Sequence, residues 1–179
     1  MTKLSPKRAI YPGSFDPFTK GHQDILERSL QVFEEVWLVV AETPRKQSFF
    51  SVEERVEMLK KLYVHEPRVK VDHWAGLTMD YARNHGISVM IRGLRAASDF
   101  EYEFMMASMN KSLNPTVETF FMMTAQHLYF VSSTMIKELA RFSDAIGAYV
   151  DPLIQERILK RMKDEHKQHL GKENASHDV

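Results

Sequence analysis

Apolar residues come in short bursts along this chain, and the stretches between the bursts repeat with helical spacing. Ala9-Ile10-Tyr11 is the first burst. It has the length of a buried strand, which Pro12-Gly13 is expected to break. From Gln23 to Phe33 the residues Ile25, Leu26, Ser29, Leu30, Val32 and Phe33 recur at the period of a helix. Glu35 to Ala41 is almost continuously apolar and reads as a strand covered on both faces. Ser51 with Glu54 forms a capping-box pattern at the head of a helix that runs to about Tyr63. Val69 to His73 alternates like a strand, and Leu77 to His85 is a short helix closed by Gly86. Ile87 to Ile91 is a fourth strand, expected to end at Arg92-Gly93. Asp99 is placed as the cap of a helix reaching about Leu113, where Pro115 stops it. Val117 to Met123 is a fifth strand, and Ser132-Ser133-Thr134 cap a helix through Phe142. A last amphipathic helix spans about Pro152 to His166.

Strands alternating with helices, the strands apolar throughout, predict an α/β fold: a Rossmann-like, doubly wound, five-stranded parallel sheet with helices on both faces and a C-terminal helix. At 179 residues the chain suits one domain at roughly 150 residues each. The expected division is an extension over 1–6, a single domain over 7–166, and a polar, disordered tail over 167–179.

Composition narrows the function by exclusion. Lys plus Arg equals Asp plus Glu at 24 each, so no global basic field points to nucleic acid. Cysteine is absent, which removes disulfides, thiolate chemistry and cysteine-based zinc sites. No apolar run approaches ~18 residues and the N-terminus lacks a signal-peptide core, so the expected location is cytoplasmic, away from membranes.

Parallel sheets bind ligands at the carboxyl ends of their strands, near the switch in strand order. The informative polar groups all follow strands: Ser14, Thr19 and His22 after the first, Lys46 after the second, Arg92 and Arg95 after the fourth, Ser132 to Thr134 after the fifth. Arginine forks, a lysine and hydroxyls at helix starts suit a polyphosphate. Gly-x-x-x-x-Gly-Lys-Ser/Thr and Gly-x-Gly-x-x-Gly loops are both missing from the sequence. Cations and donors without an evident base fit phosphate attacking phosphate, because that nucleophile is already ionised. In that scheme His22 stabilises the transition state, Lys46 and Arg92 hold the nucleophile, and Arg95 with Ser132 to Thr134 holds a triphosphate. The bland alternatives are concrete. Arg92 could instead pair with Asp99 or Glu101 as a structural bridge, and Ser132 and Ser133 could be ordinary caps. The aromatic and methionine residues from Phe100 to Met109 read as helix packing or a subunit interface.

Tyr11 to His22, containing Thr19-Lys-Gly-His22, resembles the Thr/His-x-Gly-His motif of the nucleotidyltransferase superfamily. Ile91-Arg-Gly-Leu-Arg95, Asp99-Phe-Glu-Tyr-Glu103 and Val131-Ser-Ser-Thr134 resemble the bacterial phosphopantetheine adenylyltransferases, and the likeness covers roughly Lys7 to Tyr149. The resemblance implies reversible transfer of an adenylyl group from ATP to 4′-phosphopantetheine. The products would be dephospho-coenzyme A and pyrophosphate, with Mg²⁺ on the phosphates, no metal ligand from protein side chains, and a homohexamer. It places Ser14, Phe15, His22, Gly93, Leu94, Arg95, Glu103, Leu128, Tyr129, Phe130, Val131, Ser132, Ser133 and Thr134 at ATP. It places Ser14, Lys46, Leu77, Thr78, Arg92, Met109 and Asn110 at phosphopantetheine. Ser14 stands where that family usually has Thr, Thr134 where Ser is usual, and Leu128 where an aromatic is common. A related transferase making NAD or a cytidylyl-alcohol, a non-catalytic nucleotide sensor and a structural assembly protein are the competing readings.

Overall fold

A computed structural model describes residues 7–42 and 48–176, and in it the expected alternation is realised. β1 (Arg8–Gly13) leads to α1 (Lys20–Ser29), β2 (Glu35–Ala41), α2 (Val52–Leu62), β3 (Val69–Trp74) and α3 (Thr78–His85). β4 (Val89–Leu94), α4 (Ala97–Leu113), β5 (Glu118–Met123), α5 (Ser133–Ala140) and α6 (Pro152–Ser176) complete the order. All neighbouring strands are parallel, in the sequence β3-β2-β1-β4-β5. The order reverses between β1 and β4, which makes the gap between their carboxyl ends the switch point.

Both faces of the sheet are covered. On one, Ile25 and Leu26 of α1, Met58 and Leu59 of α2, Ile136 of α5 and Ile154 and Ile158 of α6 bury against Leu38, Val40 and Ile91. On the other, Met79, Tyr81 and Ala82 of α3 pack on Ile10, Val39 and Met90. The capping box forms as the sequence implies. Ser51 Oγ accepts from Glu54 N–H at 3.2 Å, and Glu54 Oε2 accepts from Ser51 N–H at 2.8 Å. Gly86 closes α3 at φ 60°, a left-handed conformation that glycine adopts without a Cβ penalty.

Several boundaries differ from the sequence expectation. β1 is not broken at Pro12-Gly13: Pro12 pairs with Val39 and Gly13 with Val40 of β2. Proline has no N–H to give β4, and the β1–β4 pairing is confined to Ile10 with Met90. Above that point Pro12 O instead accepts from Arg92 Nη1 at 3.0 Å. β4 likewise runs through Arg92 and Gly93 to Leu94, because β5 continues beside it. Asp99 is not the cap of α4. The helix starts at Ala97, and Asp99 turns its carboxylate back to accept from Arg95 N–H at 3.2 Å. α1 ends at Ser29 rather than Phe33, where Val32 and Phe33 N–H close turns onto Ser29 O. α5 stops at Ala140, short of Phe142. α6 passes the expected end near His166 and continues to Ser176, into the segment read as a polar tail, whose Lys, Gln, Leu and Glu residues favour helix.

Candidate active site

The loop after β1 is built to hold one ring. Gly13 lies so close to Phe15 that a Cβ there would sit 2.8 Å from the ring. Phe15 itself has φ 47°, an unusual conformation for a bulky residue and one that needs outside support. Arg55, 3% exposed, supplies part of it by donating from Nη1 to Ser14 O at 2.7 Å. Asp16, 5% exposed, supplies more through hydrogen bonds from Phe49 and Phe50 N–H, both 2.8 Å. The peptide between Asp16 and Pro17 is cis. Thr19 caps α1, and its N–H donates to His22 Nδ1 at 3.0 Å. A backbone N–H can only donate, so Nδ1 is the acceptor and the neutral ring carries its proton on Nε2. Phe18 stacks on the imidazole and Phe15 meets it edge-on. Burial, then the charges of Arg95 and Arg92, push the His22 pKa down to about 4, so near neutral pH the ring is an uncharged donor.

Across the switch point the groups are charged. Arg92, near the end of β4, donates from Nε and Nη2 to the two oxygens of Glu103 at 2.7 and 2.6 Å. Burial works against its charge, and the hydrogen bonds and charge of Glu103 outweigh it, holding its pKa above the ordinary value. Three of its five N–H groups are used, counting the one on Pro12 O, so one remains on each terminal nitrogen. Arg95 pairs with Asp99 through Nε at 3.0 Å and Nη2 at 3.2 Å. Partial burial raises the Asp99 pKa, but the Arg95 hydrogen bonds outweigh this and leave it below the usual carboxylate range.

These two walls enclose a cavity of about 610 Å³, closed on a third side by Val131 to Thr134 at the start of α5. Ser132 Oγ accepts from Met135 N–H at 3.1 Å, while Ser133 Oγ donates to Pro17 O at 2.8 Å and ties that helix to the β1 loop. The positive end of α5 therefore faces the same space as the two arginines. A smaller cavity of about 90 Å³ shares Pro12, Arg92, Tyr102 and Glu103 with it and adds Thr78, Met106, Ala107 and Asn110. Among the described residues lining the large cavity, the carboxylates are Asp99 and Glu103, and each is engaged by an arginine. The site is equipped to hold anions and stabilise charge, not to remove a proton with a free carboxylate.

Residues 10–139 match the cytidylyltransferase-like family model. The phosphopantetheine adenylyltransferase of Desulforudis audaxviator is 49% identical over 154 residues, 86% of this chain and 94% of that protein. That of Heliobacterium modesticaldum is 47% identical over 156 residues, 87% and 93% of the two chains. That of Thiobacillus denitrificans is 41% identical over 156 residues, 87% and 98%. The chain belongs to the phosphopantetheine adenylyltransferase family. Its fold is shared with Plasmodium falciparum nicotinic acid mononucleotide adenylyltransferase, solved with NaAD, at a TM-score of 0.60 and 15% identity, covering 88% of this chain and 95% of that one.

The structure gathers most, not all, of the residues the sequence singled out. Ser14, Phe15, His22, Arg92, Gly93, Arg95, Glu103 and Val131 to Thr134 line the large cavity, and Thr78 and Asn110 the small one. Leu128 is buried in the core, and Tyr129 and Phe130 are exposed beside the cavity rather than lining it. Leu94 is buried, and Leu77 and Met109 are exposed and line neither cavity. Lys46 lies in 43–47, outside the described residues. The structural partner of Arg92 is Glu103, not Asp99 or Glu101. Tyr11, Tyr102 and Thr124 line the large cavity without having been singled out. Arg55 left a trace in the sequence: it is a charge on the apolar face of α2, between Val52 and Met58.

Proposed function

We propose that this enzyme transfers the adenylyl group of ATP to 4′-phosphopantetheine, in the route to coenzyme A, with the walls of the large cavity dividing the work. A phosphate oxygen of phosphopantetheine forms a bond to the α-phosphorus of ATP. The bond from that phosphorus to the β-bridging oxygen breaks, and pyrophosphate leaves with the electron pair. The nucleophile arrives ionised, so no base is required. Arg92 offers its two remaining N–H groups to the attacking phosphate, with Lys46 as a second cation. Arg95 and the α5 terminus at Ser132 to Thr134 take the triphosphate. Ser14 stands between the substrates, and the Nε2–H of His22 donates to charge growing on the reacting phosphate. The adenosine end falls to Gly93, Leu94 and the segment Leu128 to Val131, with Phe15 beneath. The pantetheine arm falls to the small cavity, with Leu77, Thr78, Met109 and Asn110 around it.

The observation that carries this reading is a neutral histidine donor facing two arginines across one cavity whose carboxylates are both engaged. Because Asp99 and Glu103 are engaged, these side chains do not fit an oxygen cage for a divalent ion. Mg²⁺ is read as arriving with the triphosphate.

α4 presents Phe100, Tyr102, Phe104, Met105 and Met109 to solvent, and Phe100 packs on Phe121 of the edge strand β5. An apolar face of this kind suits burial between copies of the chain, and a homohexamer is the assembly we assign. No described helix is long and apolar enough to cross a membrane, and a cytoplasmic enzyme is the reading adopted.

The test supplies ATP, Mg²⁺ and 4′-phosphopantetheine and follows pyrophosphate. Release that depends on phosphopantetheine is expected. Release with nicotinamide mononucleotide in its place, and none with phosphopantetheine, overturns the reading. Light scattering on the same sample checks the hexamer.

A further inference from the structure

Asp16 and Lys137 lie outside the substrate and catalytic roles assigned above, yet they meet at the loop that leads into the helix carrying His22. The Asp16 carboxylate is almost wholly buried and takes three donors. Phe50 N–H donates to Oδ1 at 2.8 Å, Phe49 N–H to Oδ2 at 2.8 Å, and Lys137 Nζ to Oδ2 at 3.3 Å. These donors come from two places: the turn ahead of α2, and the middle of α5, whose start lines the cavity. The turn is itself held from α6, where Arg161 Nη1 donates to Phe49 O at 2.7 Å and the guanidinium lies 5.2 Å over the Phe50 ring.

Asp16 does not touch the cavity, but its two phenylalanine neighbours in the loop do touch the imidazole. Phe15 meets the His22 ring edge-on at 5.3 Å, and Phe18 stacks on it at 5.4 Å. We propose that Asp16, clamped by the Phe49–Phe50 turn and Lys137, is a positioning residue that fixes the His22 ring through Phe15 and Phe18. Phe15 sits in a left-handed conformation, so the loop relaxes once its anchor is weakened. Relaxation swings both rings and frees the imidazole from its single orientation. The same carboxylate ties the turn ahead of α2 to α5, and with it the β1 loop to the helix whose start closes the third side of the cavity.

The proposal rests on His22 acting as the donor described above, and the test separates the two. In Asp16→Asn the amide NH₂ faces an N–H or an ammonium that it cannot accept from. In Lys137→Met the two backbone donors stay and only the ammonium goes. Two readouts are taken on full-length, folded protein. The first is the ¹⁵N signal of the His22 ring, which reports its tautomer and needs no turnover. The wild type is expected to show one tautomer, and Asp16→Asn an averaged signal. The second is kcat, expected to fall about tenfold or more in Asp16→Asn with the KM of both substrates within about twofold, as for a misplaced catalytic group. Lys137→Met is expected to move both readouts the same way and less far. A lowered melting temperature with an unchanged ring signal and unchanged kcat makes Asp16 a purely structural anchor and overturns the proposal. Should Asp16→Asn fail to fold, Lys137→Met decides: no change in the His22 signal sinks the idea. Absence of pyrophosphate from the wild type would count against the reaction, while the ring signal would still decide the positioning role.

Discussion

The two walls of the large cavity solve opposite electrostatic problems. On the β1–α1 side a titratable ring is kept neutral: Thr19 N–H occupies Nδ1, and burial with two nearby guanidiniums disfavours a second proton. On the β4–α4 side the groups are permanent charges, Arg92 paired with Glu103 and Arg95 with Asp99. A neutral donor with fixed geometry adds no ground-state attraction for the net charge of a phosphate, so its benefit concentrates where charge grows during reaction. A paired guanidinium with two N–H groups left over attracts phosphate from the start. The walls are therefore expected to differ in which kinetic constant each controls.

The largest effect should come from the neutral wall. His22→Ala is expected to lower kcat by ~10²–10³ with little change in either KM, the pattern of a donor lost from the transition state. A raised KM with kcat intact would erase the contrast and make His22 a ground-state binder. The charged wall should answer in the other constant. Arg92→Ala removes two available N–H groups and leaves Glu103 without its partner. The KM for phosphopantetheine should rise roughly 30-fold, about 2 kcal/mol for a charged hydrogen-bonding group, while ATP binding measured calorimetrically is retained. Equal loss of both substrates would mean that Arg92 and Arg95 do not divide the site.

Much of this arrangement could be read in the sequence because it depends on position along strands. Ser14, Arg92 and Arg95 are each within two residues of a strand's carboxyl end and His22 is in the first turn of the helix that follows β1, so a parallel sheet brings them together. The extension of β4 through Gly93 did not move Arg92 off that rim; it only set the side chain on the sheet. What stayed hidden depends on contacts between segments far apart. Nothing in Asp16-Pro17 indicates that its carboxylate meets Phe49, Phe50 and Lys137, and nothing in Glu103 identifies Arg92 rather than Arg95 as its partner. Pairing choices of this kind are set by helix register against the sheet: Asp99 lies four residues from Arg95, and Glu103 is one helical turn further on, over Arg92. Leu128 illustrates the same limit on the apolar side. It heads a run of which only Val131 to Thr134 line the cavity, and packing turns it into the core.

A milder change sharpens the contrast within the charged wall. Glu103→Gln keeps the shape of the pair but removes the charge and one acceptor of the bidentate contact. The guanidinium remains ionised, since arginine does not lose its proton in proteins. What weakens is its orientation. The KM for phosphopantetheine is expected to rise about fivefold, on the order of 1 kcal/mol for one hydrogen bond, with kcat held. A fall in kcat as large as that of His22→Ala would show that Glu103 takes part in the chemistry and that the division into walls is too simple.

The smallest effect concerns pH, and it bears on the neutral wall alone. His22 carries a folded pKa of about 4 against an ordinary 6.5, so between those values the unfolded chain binds the proton that the folded chain refuses. Stability from this residue is therefore complete above about pH 6.5 and is lost progressively as pH falls toward about 4. The wild type should lose melting temperature over that window more steeply than His22→Gln, which has nothing to titrate there. Activity in the same window needs care, because a phosphomonoester substrate itself titrates near ~6. A bend in kcat/KM for phosphopantetheine close to that pH belongs to the substrate and should persist in a variant of any enzyme residue. The ring signal of His22 separates the two, since it should remain that of a neutral imidazole down to about pH 5. A midpoint near 6.5 would mean that the ring is solvated like an ordinary histidine. It would then meet the phosphate as a cation, and the two walls would no longer be opposites.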